Sequence, residues 1–154
     1  MDADPPPHGV KVARRNTLKI QAPPAAVWAL VGGFCAIAKW HPMVESCAIS
    51  NKDSDAGQGR ATRSLVAASN LGTIIEVETS RDEKAMSYNY AYVSGPLPVK
   101  TYNATIAVHP NGVGSTVVWT ATFDAIGMTD AEAKADIAGV YEQGLAGIAK
   151  EVSR

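Results

Sequence analysis

The chain has 154 residues, 46% of them apolar and 19% charged, with a formal net charge of −1, a length and balance that suit one compact domain and leave little room for two. The Lys and Arg residues are scattered, so the basic footprint that a nucleic-acid backbone or an anionic membrane surface demands is missing. No apolar run approaches the ~20 residues needed to span a bilayer.

The opening Met1 to Gly9 is acidic and proline-rich, with no basic n-region and h-region, and is expected to be a flexible arm ahead of a single domain over residues 10–154. A cytoplasmic location is expected, although a secreted chain stripped of its leader would read the same way. Cys35 and Cys47 are too few for a disulfide framework and match no zinc spacing, so buried free thiols are expected.

Alternation of Val10, Val12, Leu18 and Ile20 with polar residues predicts a first strand ending at Gln21, with a bulge near Arg14-Arg15. Pro23-Pro24 ahead of good helix formers starts a short helix that Gly32-Gly33 stops. A second short helix runs from Phe34 to about Trp40 and ends at His41-Pro42, because the residue before proline is pushed toward extended geometry. Six further strands follow: Val44 to Ser50, Arg60 to Val66, Thr73 to Arg81, Ala85 to Val93, Tyr102 to Val108 and Thr116 to Asp124. They are separated by turn chemistry at Lys52 to Gly59, Ser69-Asn70, Asp82 to Lys84, Gly95 to Pro98 and Asn111 to Gly114.

Thr129 and Glu132 form a capping box, and Ala133, Ile137, Tyr141, Leu145, Ile148 and Val152 then recur at helical spacing. About 25 residues, roughly 37 Å of amphipathic helix, are expected. The physical solution for this order is an α+β fold: a seven-stranded curved antiparallel sheet wrapped around the long C-terminal helix, with two short helices after strand 1. A bent sheet gripping one rod closes imperfectly, so a cavity is expected between sheet, rod and helix pair.

Several segments carry a family likeness: Val27-Trp28-Ala29-Leu30-Val31, Phe34 with Trp40-His41-Pro42, Gly57-Gln58-Gly59-Arg60-Ala61-Thr62-Arg63, Glu76 to Asp82, Tyr88-Asn89-Tyr90, Gly95-Pro96-Leu97-Pro98-Val99 with Tyr102, and Trp119 to Phe123. Together they resemble the START-related helix-grip superfamily over residues 10 to 150, and more narrowly its bacterial polyketide cyclase/dehydrase and lipid transport branch. That branch includes carriers, receptors and enzymes, so the resemblance implies the fold without choosing a function. The Pro96-Leu97-Pro98 loop is similar to a gate of plant hormone receptors, but it lies between the fifth and sixth strands and no receptor mechanism is carried over.

Register arithmetic through the hairpins places Arg63 opposite Glu76, Glu76 opposite Tyr90, Tyr90 near Thr105 and Thr105 opposite Trp119, a row on one face of the sheet. Tyr88, Tyr92, Val117 and Phe123 share that face, and such aromatic density argues that it is the covered one. Two readings of Arg63 and Glu76 stay open: a forked donor for a ligand carbonyl or carboxylate, or a cross-strand ion pair that holds the sheet in register. Tyr88, Tyr90, Tyr92 and Tyr102 are four tyrosines within fifteen residues of a chain with only two Phe. Filling the core accounts for them, and so does a pocket that is apolar in body and hydrogen-bonding at one end.

His41 is either a satisfied structural histidine or, at a cavity mouth, a group titrating near neutrality as acid or base. His8 lies in the arm, and His109 precedes Pro110 at a strand end. His41, Glu45 and Cys47 share local sequence without a ligand spacing, so no metal is expected. Gly112 to Ser115 sits in a hairpin and cannot cradle phosphate; no cofactor is expected.

The leading expectation is a protein that encloses a small hydrophobic or aromatic molecule, such as a lipid or polyketide, lined by Trp40, His41, Arg63, Glu76, Tyr88, Tyr90, Tyr92, Leu97, Tyr102, Trp119, Phe123 and Tyr141. The alternative is a cofactor-free cyclase, aromatase or dehydratase using the same cavity, with Arg63, Glu76 and His41 as catalytic candidates and Arg63→Ala predicted to abolish turnover in a folded protein. Third comes an accessory protein acting on a partner through its surface, for which the sequence presents no contiguous apolar stripe. The oligomeric state is open.

Overall fold

The computed structural model describes residues 12–50 and 60–153. The expected N-terminal arm with His8, the expected strand start at Val10 and the whole turn at 52–59, with the glycines at 57 and 59, fall outside them. The described elements are β1 (Val12–Ile20), α1 (Pro24–Val31), α2 (Ile37–Trp40), β2 (Val44–Ser50), β3 (Thr62–Ala67), β4 (Gly72–Asp82), β5 (Ser87–Ser94), β6 (Val99–Asn111), β7 (Gly114–Ala125) and α3 (Asp130–Val152). The strands form one antiparallel sheet in the order β1-β7-β6-β5-β4-β3-β2.

β7 explains the sheet's two faces. Val117, Trp119, Ala121 and Phe123 are buried while Val118, Thr120 and Thr122 between them are less so, the period-2 alternation of a strand with one covered face. α3 supplies the cover. Ala133, Ile137, Tyr141, Leu145 and Ile148 are all buried in the core that the sheet lines. Its first turn is closed as expected, with the Glu132 amide donating to Thr129 Oγ1 at 3.1 Å and the Thr129 amide donating to Glu132 Oε1 at 2.9 Å, so two orphan amides of the terminus are met.

Two glycines of α3 set how closely the rod approaches. A Cβ on Gly144 would stand 2.7 Å from both the His41 and Trp119 rings, and one on Gly147 would collide with the Trp40 carbonyl oxygen. Gly139 meets nothing. α1 ends where Gly32 lets the Trp28 ring fold over the backbone, since a Cβ there would lie 2.6 Å from the ring. α2 is shorter than its expected span, because Phe34 to Ala36 form a turn and helix begins only at Ile37.

Two expectations are corrected. β1 pairs with β7 without interruption from Val12↔Phe123 to Ile20↔Ser115, so no bulge lies at Arg14-Arg15. The irregularities lie elsewhere: two in β4, between Ile75 and Glu76 and between Glu78 and Ser80, one in β2 between Val44 and Ser46, and one in β6 between Lys100 and Asn103. The cysteines are not free: Cys35 and Cys47 form a disulfide with Cα atoms 5.5 Å apart. Sequence spacing could not reveal it, because the two residues meet only once the α1–α2 linker packs on edge strand β2.

That linker is held three ways. The disulfide fixes Cys35, Arg81 Nη2 donates to the Gly32 carbonyl at 2.5 Å, and Arg63 Nη1 donates to the Phe34 carbonyl at 2.6 Å. Arg81 is in turn oriented by Glu78 and Glu83 at 2.9 Å each, and Trp28 Nε1 donates to Glu83 at 2.8 Å. The short helices are therefore anchored to β2, β3 and β4.

Candidate functional site

The inner face of β3 to β7 does not meet α2 and α3 completely. A cavity of about 80 Å³ remains, with His41, Arg63, Glu76, Tyr90, Leu97, Tyr102, Trp119 and Tyr141 among its lining residues. Most of the wall is apolar. Leu65 and Ile74 share the inward faces of Arg63 and Glu76 by the two-residue period, and Ile37, Ile137, Val140 and Met43 come from the helices and the α2–β2 corner. None of these six was assigned to the site from sequence. For Leu65, Ile74 and Ile137 the periodicity signal was present.

Trp40, Tyr88, Tyr92 and Phe123, expected in the lining, stand behind it. Trp40 packs edge-on against Trp119 with ring centroids 5.6 Å apart, and its buried Nε1 has no partner among the described residues. Tyr88 lies under Arg63, Phe123 packs against Tyr102 at 5.9 Å, and the Tyr92 hydroxyl accepts from the Leu97 amide at 3.0 Å. Gly95, with a φ of 147° and Tyr92 and Ile74 pressed against it, allows the loop to fold down onto that hydroxyl.

Register decides which polar groups converge. Arg63 pairs with Glu76 as expected. The β4 bulges then carry Glu76 opposite Tyr92 and Glu78 opposite Tyr90, in place of the expected Glu76–Tyr90 pair. Tyr90 faces Ala104, and Ile106, not Thr105, faces Trp119. Thr105 thus points to the outer face, where its hydroxyl donates to Asn89 at 2.7 Å. A one-residue slip at the Pro-rich loop, offset at the next hairpin, turns that one member outward.

Arg63 is fully buried, with four of its five N–H groups engaged. Nε and Nη2 donate to Glu76 Oε1 at 2.9 and 2.8 Å, and Nη1 donates to the Phe34 carbonyl at 2.6 Å and to the Tyr88 hydroxyl at 3.3 Å. The Phe34 and Tyr90 ring centroids lie 4.1 and 4.8 Å from the guanidinium carbon. Burial disfavours the cation, but Tyr88, Glu76 and Tyr90 outweigh it and keep Arg63 charged. Burial pushes the Glu76 carboxyl up, and Arg63 pulls it partly back. Oε1 takes both bonds from Arg63; Oε2 has no hydrogen-bond partner among the described residues.

A chain of polar groups crosses the cavity wall. Trp119 Nε1 donates to the Tyr90 hydroxyl at 2.9 Å, Tyr90 is 3.3 Å from the Tyr102 hydroxyl, and Tyr102 bonds the Tyr141 hydroxyl. Trp119 and Tyr141 are stacked with centroids 4.1 Å apart. Burial holds Tyr90, Tyr102 and Tyr141 well above the ordinary phenol range, so all three remain neutral hydroxyls.

His41 differs from its near-neutral expectation. It is buried, Nε2 donates to the Val140 carbonyl at 2.8 Å and Nδ1 accepts from the Met43 amide at 3.1 Å. Burial lowers its pKa to about 4, against the opposing pull of the Val140 carbonyl. Both ring nitrogens are committed and the imidazole is neutral. Among the described residues no three His, Cys, Asp or Glu side chains come together as a metal-ligand group.

Leu71, Pro96 and Leu97 form the outer end of the cavity and also wall a surface groove of about 380 Å³ that runs past Gly139 on α3. Leu71 is 53% exposed. A larger trough of about 640 Å³ lies on the outer face of the sheet among Arg15, Asn89, Asn103, Thr105 and Thr120, but it is shallow and open, and it encloses nothing.

A seven-stranded curved antiparallel sheet gripping a long terminal helix is the helix-grip fold, the fold of START superfamily proteins. The chain belongs to the polyketide cyclase / dehydrase and lipid transport family, whose model matches residues 11–153. The protein XoxI from Bacillus cereus is similar at 28% identity and a TM-score of 0.82, covering 92% of this chain and 95% of that one. A protein from Thermobifida fusca solved by NMR is similar at 32% identity and a TM-score of 0.78, covering 92% and 93%. A START superfamily protein from Mycobacterium smegmatis shares the fold at 14% identity and a TM-score of 0.77 over 92% and 97%. No curated protein matches the chain.

Proposed function

We propose that the protein binds a small, largely apolar molecule in the cavity between the sheet and α3. The observation that carries this reading is the largely apolar wall of the cavity with a short set of polar groups in its lining, Glu76 and the tyrosine hydroxyls. At about 80 Å³ the space is well below the ~300 Å³ of ordinary small-molecule pockets. A cavity of roughly 150 Å³ is what holds one benzene, so only a group of a few atoms fits the space as it stands, and a six-membered ring, a lipid or a polyketide requires the Leu71, Pro96 and Leu97 end to move outward.

The cyclase or dehydratase reading has less support. Arg63 has four of its five N–H donors committed within the protein, His41 is neutral with both nitrogens engaged, and the tyrosines do not ionise near neutrality. Of the described acidic residues Glu76 alone lines the cavity, and one carboxylate without an acid partner is a thin basis for proton transfer.

Mass spectrometry of the protein purified natively and then denatured tests the binding reading, together with thermal-shift screening of apolar compounds. Bound small molecules in the denatured extract, or a rise in Tm that grows with compound concentration, are expected. A clean extract with no stabilising compound sinks it.

A further inference from the structure

The polar groups left unmet in the cavity define what the bound molecule must carry. Arg63 is not available as a receptor for an anion. A guanidinium has five N–H groups, and four of those on Arg63 are taken by Glu76, Phe34 and Tyr88. The remaining one, on Nη2, cannot offer the parallel pair that holds a carboxylate. Its charge is also balanced by Glu76 at 2.8 Å, and His41 adds none. An anionic headgroup entering this space would lose its water and gain no net positive partner.

Two other valences are open. Glu76 is 5% exposed and lines the cavity, both Arg63 bonds fall on Oε1, and Oε2 is an acceptor without a donor among the described residues. The hydroxyl chain holds the complementary group. Tyr90, Tyr102 and Tyr141 have three O–H hydrogens between them, and the two links Tyr90–Tyr102 and Tyr102–Tyr141 consume two. With Trp119 donating to Tyr90, one O–H is left over, at Tyr141, Tyr90 or Tyr102 according to which way the hydroxyls point. All three tyrosines line the cavity.

Building on the binding reading above, we infer that the cavity selects a neutral hydroxyl-bearing molecule, an alcohol or phenol on a compact apolar body, whose O–H donates to Glu76 Oε2 and whose oxygen accepts from the tyrosine chain. A carboxylate of the same shape is rejected. A ketone satisfies the tyrosine and leaves Glu76 unmet, so it binds more weakly than the alcohol.

Four saturated six-membered-ring probes of nearly equal size separate these cases: cyclohexanol, cyclohexanone, methylcyclohexane and cyclohexanecarboxylate. Titrations are followed by NMR shifts of the Trp119 indole N–H and by thermal shift. Cyclohexanol is expected to bind about tenfold more tightly than cyclohexanone, with no saturable carboxylate binding. In Glu76→Gln the amide oxygen can keep Arg63 while the NH₂ faces the cavity, which turns the open acceptor into a donor and reverses the alcohol-over-ketone order. Alcohol and ketone binding equally to the unmodified protein, or the carboxylate binding best, overturns the hydroxyl assignment while leaving cavity binding intact. If none of the four shifts Trp119, the binding reading itself falls with it.

Discussion

At the scale of single residues, the energetics of the buried pair settle what Arg63 does for the fold. Removing one partner of a buried ion pair strands the other, and that costs about 3–5 kcal/mol. Arg63→Met, which leaves Glu76 buried and the Phe34 carbonyl without its donor, is therefore expected to destabilise the protein by about that much in urea denaturation. The double variant Arg63→Met with Glu76→Leu is expected to recover a large part of the loss. His41 yields a pH prediction. Its folded pKa of about 4 lies below the unfolded 6.5, so the unfolded chain binds the extra proton and stability falls as pH drops from about 6.5 toward 4. The loss is at most about 3 kcal/mol, and His41→Asn should flatten denaturation midpoints across that window. An equal pH slope in the variant would show that other groups cause it.

At the scale of elements, α3 is defined as much by absent side chains as by its apolar stripe. Glycine in a helix interior costs about 1 kcal/mol against alanine, so its three occurrences call for separate accounts. Gly144 and Gly147 admit His41, Trp119 and the Trp40 carbonyl against the helix backbone. Gly139 has open space, and nothing in the packing explains it. Gly139→Ala is expected to stabilise by up to about 1 kcal/mol, whereas Gly147→Ala must push the α2 corner away and is expected to lower Tm by many degrees. Similar melting temperatures for the two variants would mean that α3 does not approach the corner this closely. From sequence the three glycines were indistinguishable, because helical spacing says which face a residue occupies and nothing about how near the neighbouring backbone comes.

For the whole molecule, one continuous core links both ends of the sheet to α3, from Val12 on β1 to Leu65 on β3 and Ile148 near the C-terminus. Shared burial of this kind couples the elements, so a single cooperative transition is expected. Far-ultraviolet dichroism for the backbone and near-ultraviolet dichroism for the Trp119–Tyr141 stack should report the same midpoint. Two separated midpoints would mean that the helix and sheet unfold independently. The cavity lies inside this core, so a bound molecule adds its binding energy to the stability of the whole protein.

Periodicity, proline and glycine placement and the Thr129–Glu132 cap by themselves determined the seven strands, the three helices and their order, since these signals are local and act before the chain is folded. The same local signals placed Arg63 against Glu76, because one short hairpin separates them. What lay beyond the first bulge was decided by tertiary structure alone: Thr105 turned outward, Tyr92 took the place opposite Glu76, and Cys35 met Cys47. The first follows the register across the Pro-rich loop, the second the irregularities of β4, and the third the packing of the α1–α2 linker on β2. Register past a bulge and long-range packing are properties of the packed whole, as is the count of which donors and acceptors are left unmet inside it, and none of these is written in the spacing of residues along the chain.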